Sequence, residues 1–391
     1  MLALAPGAVA SPDPLAKAIK RDLKFARHQL RRTRSEVPRK LYPEETQLGG
    51  RWWTTSSRAW TSGFFPGSLW LMYELTHKRE WKEAARRRER PLRREKRDRS
   101  THDLGFMLFD SIGRDYRLTH RRSDRKLLVT AAGALATRYD HQVHAIRSWN
   151  TPRSAPRTDF RVIVDGLMNL DLLFWASKHH GHRHGLAKKA RQHALTTARN
   201  HVRPDGSTYH LVVFNSRTGA RKRRTTAQGY SSSSTWARGQ AWALYGFTTA
   251  YRRTHDPRLL QTARQVALYY MSHLPTDWIP YWDFNAPGIP HAPRDSSAAA
   301  IAASALLDLY RADPDPARRP WYLYVARFTL DSLSSKPYLA KGTHERSILL
   351  HGTADKPHGR YDHGLIYGDY YFLEAIQRYR KLMRSESAPN R

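Results

Sequence analysis

Apolar residues recur at three- and four-residue spacing along most of the 391-residue chain, the period of helices that each bury one face. The pattern predicts about twelve helices, near residues 13–35, 60–76, 80–93, 103–118, 123–140, 160–178, 185–200, 235–253, 256–274, 294–311, 318–334 and 365–383. Twelve helices pair into six hairpins. A faint repeat supports the pairing: Tyr73-Glu74-Leu75-Thr76-His77, Tyr116-Arg117-Leu118-Thr119-His120, Tyr251-Arg252-Arg253-Thr254-His255 and Tyr310-Arg311-Ala312-Asp313 each close one helix before the next begins. The following helices carry small residues (Ala84-Ala85, Ala131-Ala132, Ala263, Ala326) that let helices approach closely. Repeated helical hairpins bury their apolar faces only against neighbours. Six of them point to closure into a ring, so the expected fold is all-α. No Pro/Ser-rich linker divides the chain. The expectation is one domain over residues 1–391, with 1–12 and 384–391 as tails.

The helix-poor segments 141–159, 201–234, 275–293 and 335–364 hold Trp, His, Asp and Gly, and long loops in a compact domain tend to carry function. The 12 Trp, 20 Tyr and 12 Phe are ample for a core. Lys and Arg number 67 against 34 Asp and Glu, a formal charge of +33, which favours anionic partners. The run Lys78–Arg99 is the most basic, and with Trp81 and Ala84-Ala85 it reads as a solvated outer helix, with Arg86, Arg87 and Arg88 expected to be exposed. No nucleic-acid-binding module accompanies it, so no nucleic-acid partner is expected. The chain has no cysteine, which excludes disulfides, zinc–thiolate sites and thiol catalysis. No apolar run reaches the roughly 20 residues of a membrane span. Met1–Ala10 is small and apolar and ends in Ala-Val-Ala, as the remnant of an export signal would, but it lacks a basic start. Location is open between cytoplasm and periplasm.

Candidate chemistry concentrates in a few places. Asp165 stands among Val162-Ile163-Val164 and Leu167-Met168, where desolvation would raise its pKa and keep it protonated as a proton donor near neutrality. Asn169, four residues on, is placed to orient it if the segment is helical. The competing reading is a helix cap. Asp103, after Thr101 and His102 at a predicted helix start, faces the same choice. His210 ends a turn-like Asp205–Tyr209 run and could donate to a substrate carboxylate or ring oxygen, although a lone His is more often structural. Gln228 follows. Then Trp236, Arg238 and Trp242 put two indoles and a guanidinium within seven residues, a combination suited to stacking on a sugar and holding its carboxylate. Arg238 and Trp242 would share a helix face; the alternative is a packed aromatic belt with a surface Arg. The tract His179–His184 lies at a hairpin turn without a carboxylate and is not read as a metal site. No P-loop, dinucleotide fingerprint or HExxH motif occurs. Neither metal nor cofactor is expected.

Ordered blocks from Trp60 to Phe372 carry a family resemblance: WTSGFFPGSLW from Trp60, THDLGF from Thr101, RSW from Arg147, MNL from Met168, DGSTYH from Asp205, QGY from Gln228, WARGQAW from Trp236, PYWDF from Pro280, RDSSA from Arg294 and YGDYYF from Tyr367. By these the chain resembles the unsaturated glucuronyl hydrolases, glycoside hydrolase family 88. The resemblance implies an (α/α)6 barrel. It also implies an oligosaccharide substrate bearing a 4,5-unsaturated uronic acid at its non-reducing end. Such enzymes protonate C4 of the vinyl ether and add water at C5, giving a hemiketal that opens and releases the neighbouring sugar. By resemblance Asp165 is the general acid/base and Asp103 the second essential carboxylate. His102, His210, Gln228, Trp236, Arg238 and Trp242 would line the pocket, and Trp60 would add an aromatic wall. The chain departs from the family pattern at Gly166, where a bulkier residue is common, at Ser231–Ser233, where acids are common, and in the Arg-rich run. Two other readings remain: an unsaturated rhamnogalacturonyl hydrolase, with the same implied chemistry on pectin fragments, and a non-catalytic polyanion binder.

Overall fold

The computed structural model describes residues 14–179 and 185–386. Among these residues the predicted twelve α-helices are found: α1 (Pro14–Glu36), α2 (Phe64–Thr76), α3 (Arg79–Leu92), α4 (Ile112–Thr119), α5 (Arg122–Ala136), α6 (Leu170–His179), α7 (Leu186–His201), α8 (Ala237–Thr254), α9 (Pro257–Ser272), α10 (Ser296–Ala312), α11 (Arg319–Leu333) and α12 (Ile366–Glu386). Even-numbered helices form an inner ring, which closes where α12 packs on α2. Odd-numbered helices lie outside. The sequence sets this division. α1 buries only one stripe, including Leu15, Ile19, Leu23, Ala26 and Leu30, whereas in α10 every residue from Ser296 to Leu309 is buried. Its Ser-Ser-Ala-Ala-Ala-Ile-Ala-Ala-Ser-Ala run has side chains small enough to pass between α8 and α12. The result is an (α/α)6 barrel. No described helix is long and apolar enough to cross a membrane.

The repeat at the hairpin turns has a stereochemical basis. His77, His120 and His255 each end an inner helix in the left-handed conformation, at φ 55°, 51° and 54°. Each donates its backbone N–H to the carbonyl of the Tyr four residues before, closing the last turn. The preceding Thr hydroxyl donates to the carbonyl four residues back (Thr76 to Met72, Thr119 to Asp115, Thr254 to Ala250). The imidazole meets the Tyr ring edge-on at 6.4, 5.7 and 5.9 Å. The fourth copy differs: Asp313 has ordinary extended geometry, and its carboxylate takes Arg264 and Tyr322.

Two predicted helices begin differently from expectation. Residues 159–163 are not helical: β5 (Asp159–Ile163) pairs with β6 (Leu211–Asn215), and β7 (Arg221–Thr225) completes that sheet. Phe160 and Val162 alternate onto a cluster with Val212 and Phe214, so the β-branched run follows a period of two. The predicted helix 103–118 is split into a wide π turn over Gly105–Phe109 and then α4. Between them the Ser111 hydroxyl donates to the Met107 carbonyl. Two further two-stranded sheets, β1 (Tyr42–Thr46) with β2 (Trp52–Thr55) and β3 (Tyr139–Asp140) with β4 (Ala145–Ile146), lie in the connections.

The Arg-rich helix α3 is only partly a solvated face. Arg88 is buried, its guanidinium donating to the carbonyls of Arg34, Val37, Pro38 and Leu41, and Arg86 pairs with buried Asp115 at 3.0 Å. The expectation that Arg86, Arg87 and Arg88 are all exposed holds for Arg87 alone; the Arg86 and Arg88 guanidiniums stitch α3 to its surroundings. The Met1–Ala10 stretch and most of the His-rich tract lie outside the described residues; His179 stacks on Trp175 at 4.2 Å.

At the N-terminal end of the inner ring, Asp295 caps α10 by accepting from the N–H groups of Ser297 and Ala298. Its other oxygen takes Arg238 of α8 at 2.8 Å, both residues being buried. Asp295→Asn keeps a capping oxygen but leaves a buried guanidinium without its anion, so it should cost about 3–5 kcal/mol, measured by urea unfolding. At the other end, His255→Gly should hold or raise the melting temperature, whereas His255→Val should cost about 1–2 kcal/mol because a β-branched residue resists positive φ. Equal stabilities for the two variants would count against the capping account.

Candidate active site

The barrel's N-terminal end gathers the sequence-predicted residues. Asp165 lies two residues past the end of β5, in a 3-10 turn (Val164–Asn169) that leads into α6. The β5–β6 ladder continues one further rung, Val164 N–H donating to His210 O at 2.9 Å. That rung seats the two side chains together: His210 Nε2 lies 3.8 Å from Asp165 Oδ2. Burial pushes the Asp165 carboxyl up to about 7, with Arg238 pulling the other way and the charge of Asp103 adding to the rise. Near neutrality it is poised between acid and base.

His210 is held neutral. Burial, and then the Arg238 charge, lower its pKa to about 3. Its Nδ1 accepts from the backbone N–H of Ala227 at 3.1 Å, so the ring's one proton sits on Nε2, on the side facing Asp165. His102 is likewise buried, its pKa lowered by desolvation, with Nε2 3.4 Å from Asp103 Oδ1. The Asp103 carboxyl accepts from Thr101 Oγ1 at 2.9 Å, and the π turn that follows has no side-chain cap. It is not spent on a helix end. Unpartnered buried atoms converge here: Asp165 Oδ2, His210 Nε2 and both ring nitrogens of His102. Such atoms aimed at one space mark where a polar ligand would complete them.

Three expectations change. Asn169 does not orient Asp165; its Oδ1 accepts from Phe106 N–H at 3.1 Å, because the 3-10 turn rotates it toward the π turn after Asp103. Arg238 is not a surface cation beside Trp242: it is buried and anchored, Nη1 donating to Asp295 and the Thr353 carbonyl and Nη2 to the Ala354 carbonyl. Trp242 is no open platform. It is fully buried between Phe106 and Tyr371, at 5.2 and 5.3 Å. The Arg238 cation lies instead over Trp236, at 4.5 Å, and Trp236 in turn meets His210 at 4.5 Å. Gln228 donates to Ala354 O at 3.0 Å, fastening the same loop that Arg238 holds. Trp60, half-buried, packs against Tyr367 at 5.0 Å and Phe106 at 5.4 Å.

Sequence reasoning passed over Asp295, Trp149, Tyr367 and His193. Trp149 stands edge-on to His210 at 6.1 Å; Tyr367 lies under the Arg238 cation at 5.3 Å. The signal for Asp295 was present, an Asp immediately before an Ala-rich helix. His193 explains Gly166: a Cβ there would sit 3.1 Å from His193 Nε2, so the imidazole fills the space a larger residue would need. A cavity of about 850 Å3 at the other end of the barrel belongs to a different environment, where most of the arginines are already matched, Arg114 with Glu74, Arg378 with Asp308 and Arg253 with Asp171.

No protein-family model matches the chain. The chain is 42% identical to an unsaturated glucuronyl hydrolase from Formosa agariphila over 84% of its own length and 81% of the relative's. It is 34% identical to one from Bacillus sp. strain GL1, over 86% and 90%. Among solved structures, an unsaturated glucuronyl hydrolase specific for heparin superposes with a TM-score of 0.89 at 38% identity, covering 94% of this chain and 98% of that one. With its barrel, its ordered sequence blocks and relatives of this similarity and coverage, the chain belongs to the unsaturated glucuronyl hydrolases.

Proposed function

We propose that this enzyme releases a 4,5-unsaturated uronic acid from the non-reducing end of lyase-generated glycosaminoglycan oligosaccharides, with Asp165 as the general acid/base. The observation that carries the assignment is Asp165 itself, a desolvated carboxyl poised at about 7 beside a neutral imidazole. Protonated Asp165 gives its proton to C4, and the ring oxygen's lone pair supports the cation that develops at C5. Water then adds at C5 and returns a proton to the Asp165 carboxylate. The hemiketal opens and the neighbouring sugar departs. Asp103 offers negative charge to the developing cation, and His210 and His102 present ring N–H donors to the substrate's oxygens. Trp236 and Trp60 supply aromatic walls, with Trp149 beside them. Arg238, Gln228 and Trp242 act one step back: Arg238 and Gln228 hold the 353–354 loop, Trp242 supports Phe106, and the Arg238 charge, after burial, adjusts the Asp165 and His210 equilibria. The substrate is an anionic oligosaccharide, and no nucleic acid or membrane insertion enters the reading.

Asp165→Asn should lower turnover by about 10²–10⁴ with circular dichroism unchanged, followed as loss of the conjugated double bond's ultraviolet absorbance. Near-normal turnover would remove Asp165 from its role. Because the donor must be protonated, kcat/KM should fall as pH rises through about 7. Asp103→Asn removes a neighbouring negative charge that raises this pKa, so residual activity in that variant should decline at lower pH than in the wild type. A descending limb that stays in place would break the electrostatic link between the two carboxyls.

A further inference from the structure

The segment 162–166, which ends β5 and carries Asp165, is held by hydrogen bonds at three residues and by contact at a fourth. Val162 O accepts from His201 Nε2 at 2.9 Å, Ile163 N–H donates to Ser148 Oγ at 2.9 Å, and Val164 N–H donates to His210 O at 2.9 Å. At Gly166 the hold is steric. A Cβ there would lie 3.1 Å from Nε2 and 3.2 Å from Cε1 of His193, tighter than side chains ordinarily pack. Gly166 is not among the glycines at positive φ, so its backbone does not demand glycine; the missing side chain is room for the imidazole. His193 and His201 both come from α7, and both are fully buried.

The reaction gives His193 no task, and its surroundings are unusual for a structural histidine. Its Nδ1 accepts from Ile146 N–H at 2.9 Å, so the ring proton is on Nε2, at the edge that meets Gly166. There Nε2 has no hydrogen-bond partner among the described residues. A buried N–H left unmet costs stability, and an apolar side chain of similar size would avoid that cost. What the imidazole has over an apolar ring is a fixed plane: the bond from Ile146 in β4 keeps it from turning, which makes the edge against Gly166 a rigid stop. Burial, with His201 and His102 nearby, lowers its pKa to about 3. The stop is therefore uncharged wherever Asp165 titrates, and it adds no cation to oppose the rise at that carboxyl.

We propose that His193 is a positioning residue for Asp165, its anchored ring setting how far the turn that carries the acid stands into the pocket. This rests on the acid role proposed above for Asp165. The test is a cycle at two positions. His193→Asn keeps an oxygen where Nδ1 accepts from Ile146 but removes the edge against Gly166, and Gly166→Ala adds a methyl where that edge stands. Each alone should lower kcat about tenfold with KM within about twofold, since displacing a reacting group by less than an ångström costs rate more than binding. Together they should restore most of kcat, the methyl filling the space the ring leaves. In His193→Asn the descending limb of kcat/KM should move to lower pH, because water behind a retracted turn weakens desolvation, and it should return in the double variant. Arg238, Asp103 and His210, the charged and titratable groups that face Asp165, are untouched by either change. Additive losses of kcat, or a lowered melting temperature with kcat and the limb both unmoved, would overturn the proposal. If His193→Asn does not fold, Gly166→Ala alone decides, and a normal kcat there overturns it. A second readout needs no turnover: the carbon-13 NMR titration of the Asp165 carboxyl, identified by its absence from Asp165→Asn, should shift to lower pH in His193→Asn. If Asp165→Asn keeps normal turnover, the functional reading fails, while this titration still decides whether His193 sets the environment of Asp165; an unshifted carboxyl would overturn it.

Discussion

The buried pair between Arg238 and Asp295 is the interaction on which the active-site end of the barrel depends. Two charges removed from water are tolerable only where each is matched and its remaining hydrogen-bonding capacity is filled. Here Asp295 is filled by the first turn of α10 and Arg238 by the carbonyls of Thr353 and Ala354. The pair thereby joins two inner helices to a loop more than fifty residues further along the chain. It also lays a fixed cation over Trp236 and Tyr367. Aromatic faces, helix starts and loop come into register around one guanidinium.

That fixed charge also tunes the chemistry. A carboxyl in a dry pocket would be protonated well above neutrality if desolvation acted alone. Arg238 opposes the shift and Asp103 reinforces it, leaving Asp165 near 7. Burial drives His210 down to about 3, and the same cation adds to the fall. Burial and this one cation together hold a carboxylic acid at its working point and keep the adjacent imidazole neutral, so that His210 offers an N–H without becoming a competing acid.

Much of this was legible in the sequence, and the failures are local. Helical periodicity located all twelve helices because inner and outer helices alike bury at least one regular stripe. The Tyr-x-x-Thr-His repeat was visible as a pattern, but its meaning, a histidine at positive φ capping the helix, requires backbone geometry. Residues 159–163 misled because a short β-branched run inside a hydrophobic stretch reads equally as strand or helix until its partner, 211–215, is known. Asp165 was found from the apolar character of its neighbours, which is the physical cause of its shifted pKa. Asn169 was misassigned because a four-residue offset shares a face only in an α-helix, and the turn here is tighter. Arg238 and Trp242 were read as exposed because amphipathic side chains in a helix cannot be sorted into surface and core without knowing that α8 is enclosed on all sides.

The charge of +33 looked like a property of the surface, but a good part of it is architectural. Arg88 gathers four carbonyls at the end of α1 and the connection to β1. Arg203 secures the turn through Ser233 and Ser234, which accounts for a serine run where acidic residues might stand: the contacts made are to backbone carbonyls, and an acid side chain is not needed for them. Arg138 does the same for the wall beside the active site. A guanidinium can satisfy several carbonyls at once in a fixed plane, so a chain with long irregular connections and no cysteine to bridge them can use arginine as its fastener. Each such use leaves a positive charge uncancelled, because carbonyls accept hydrogen bonds without supplying an anion.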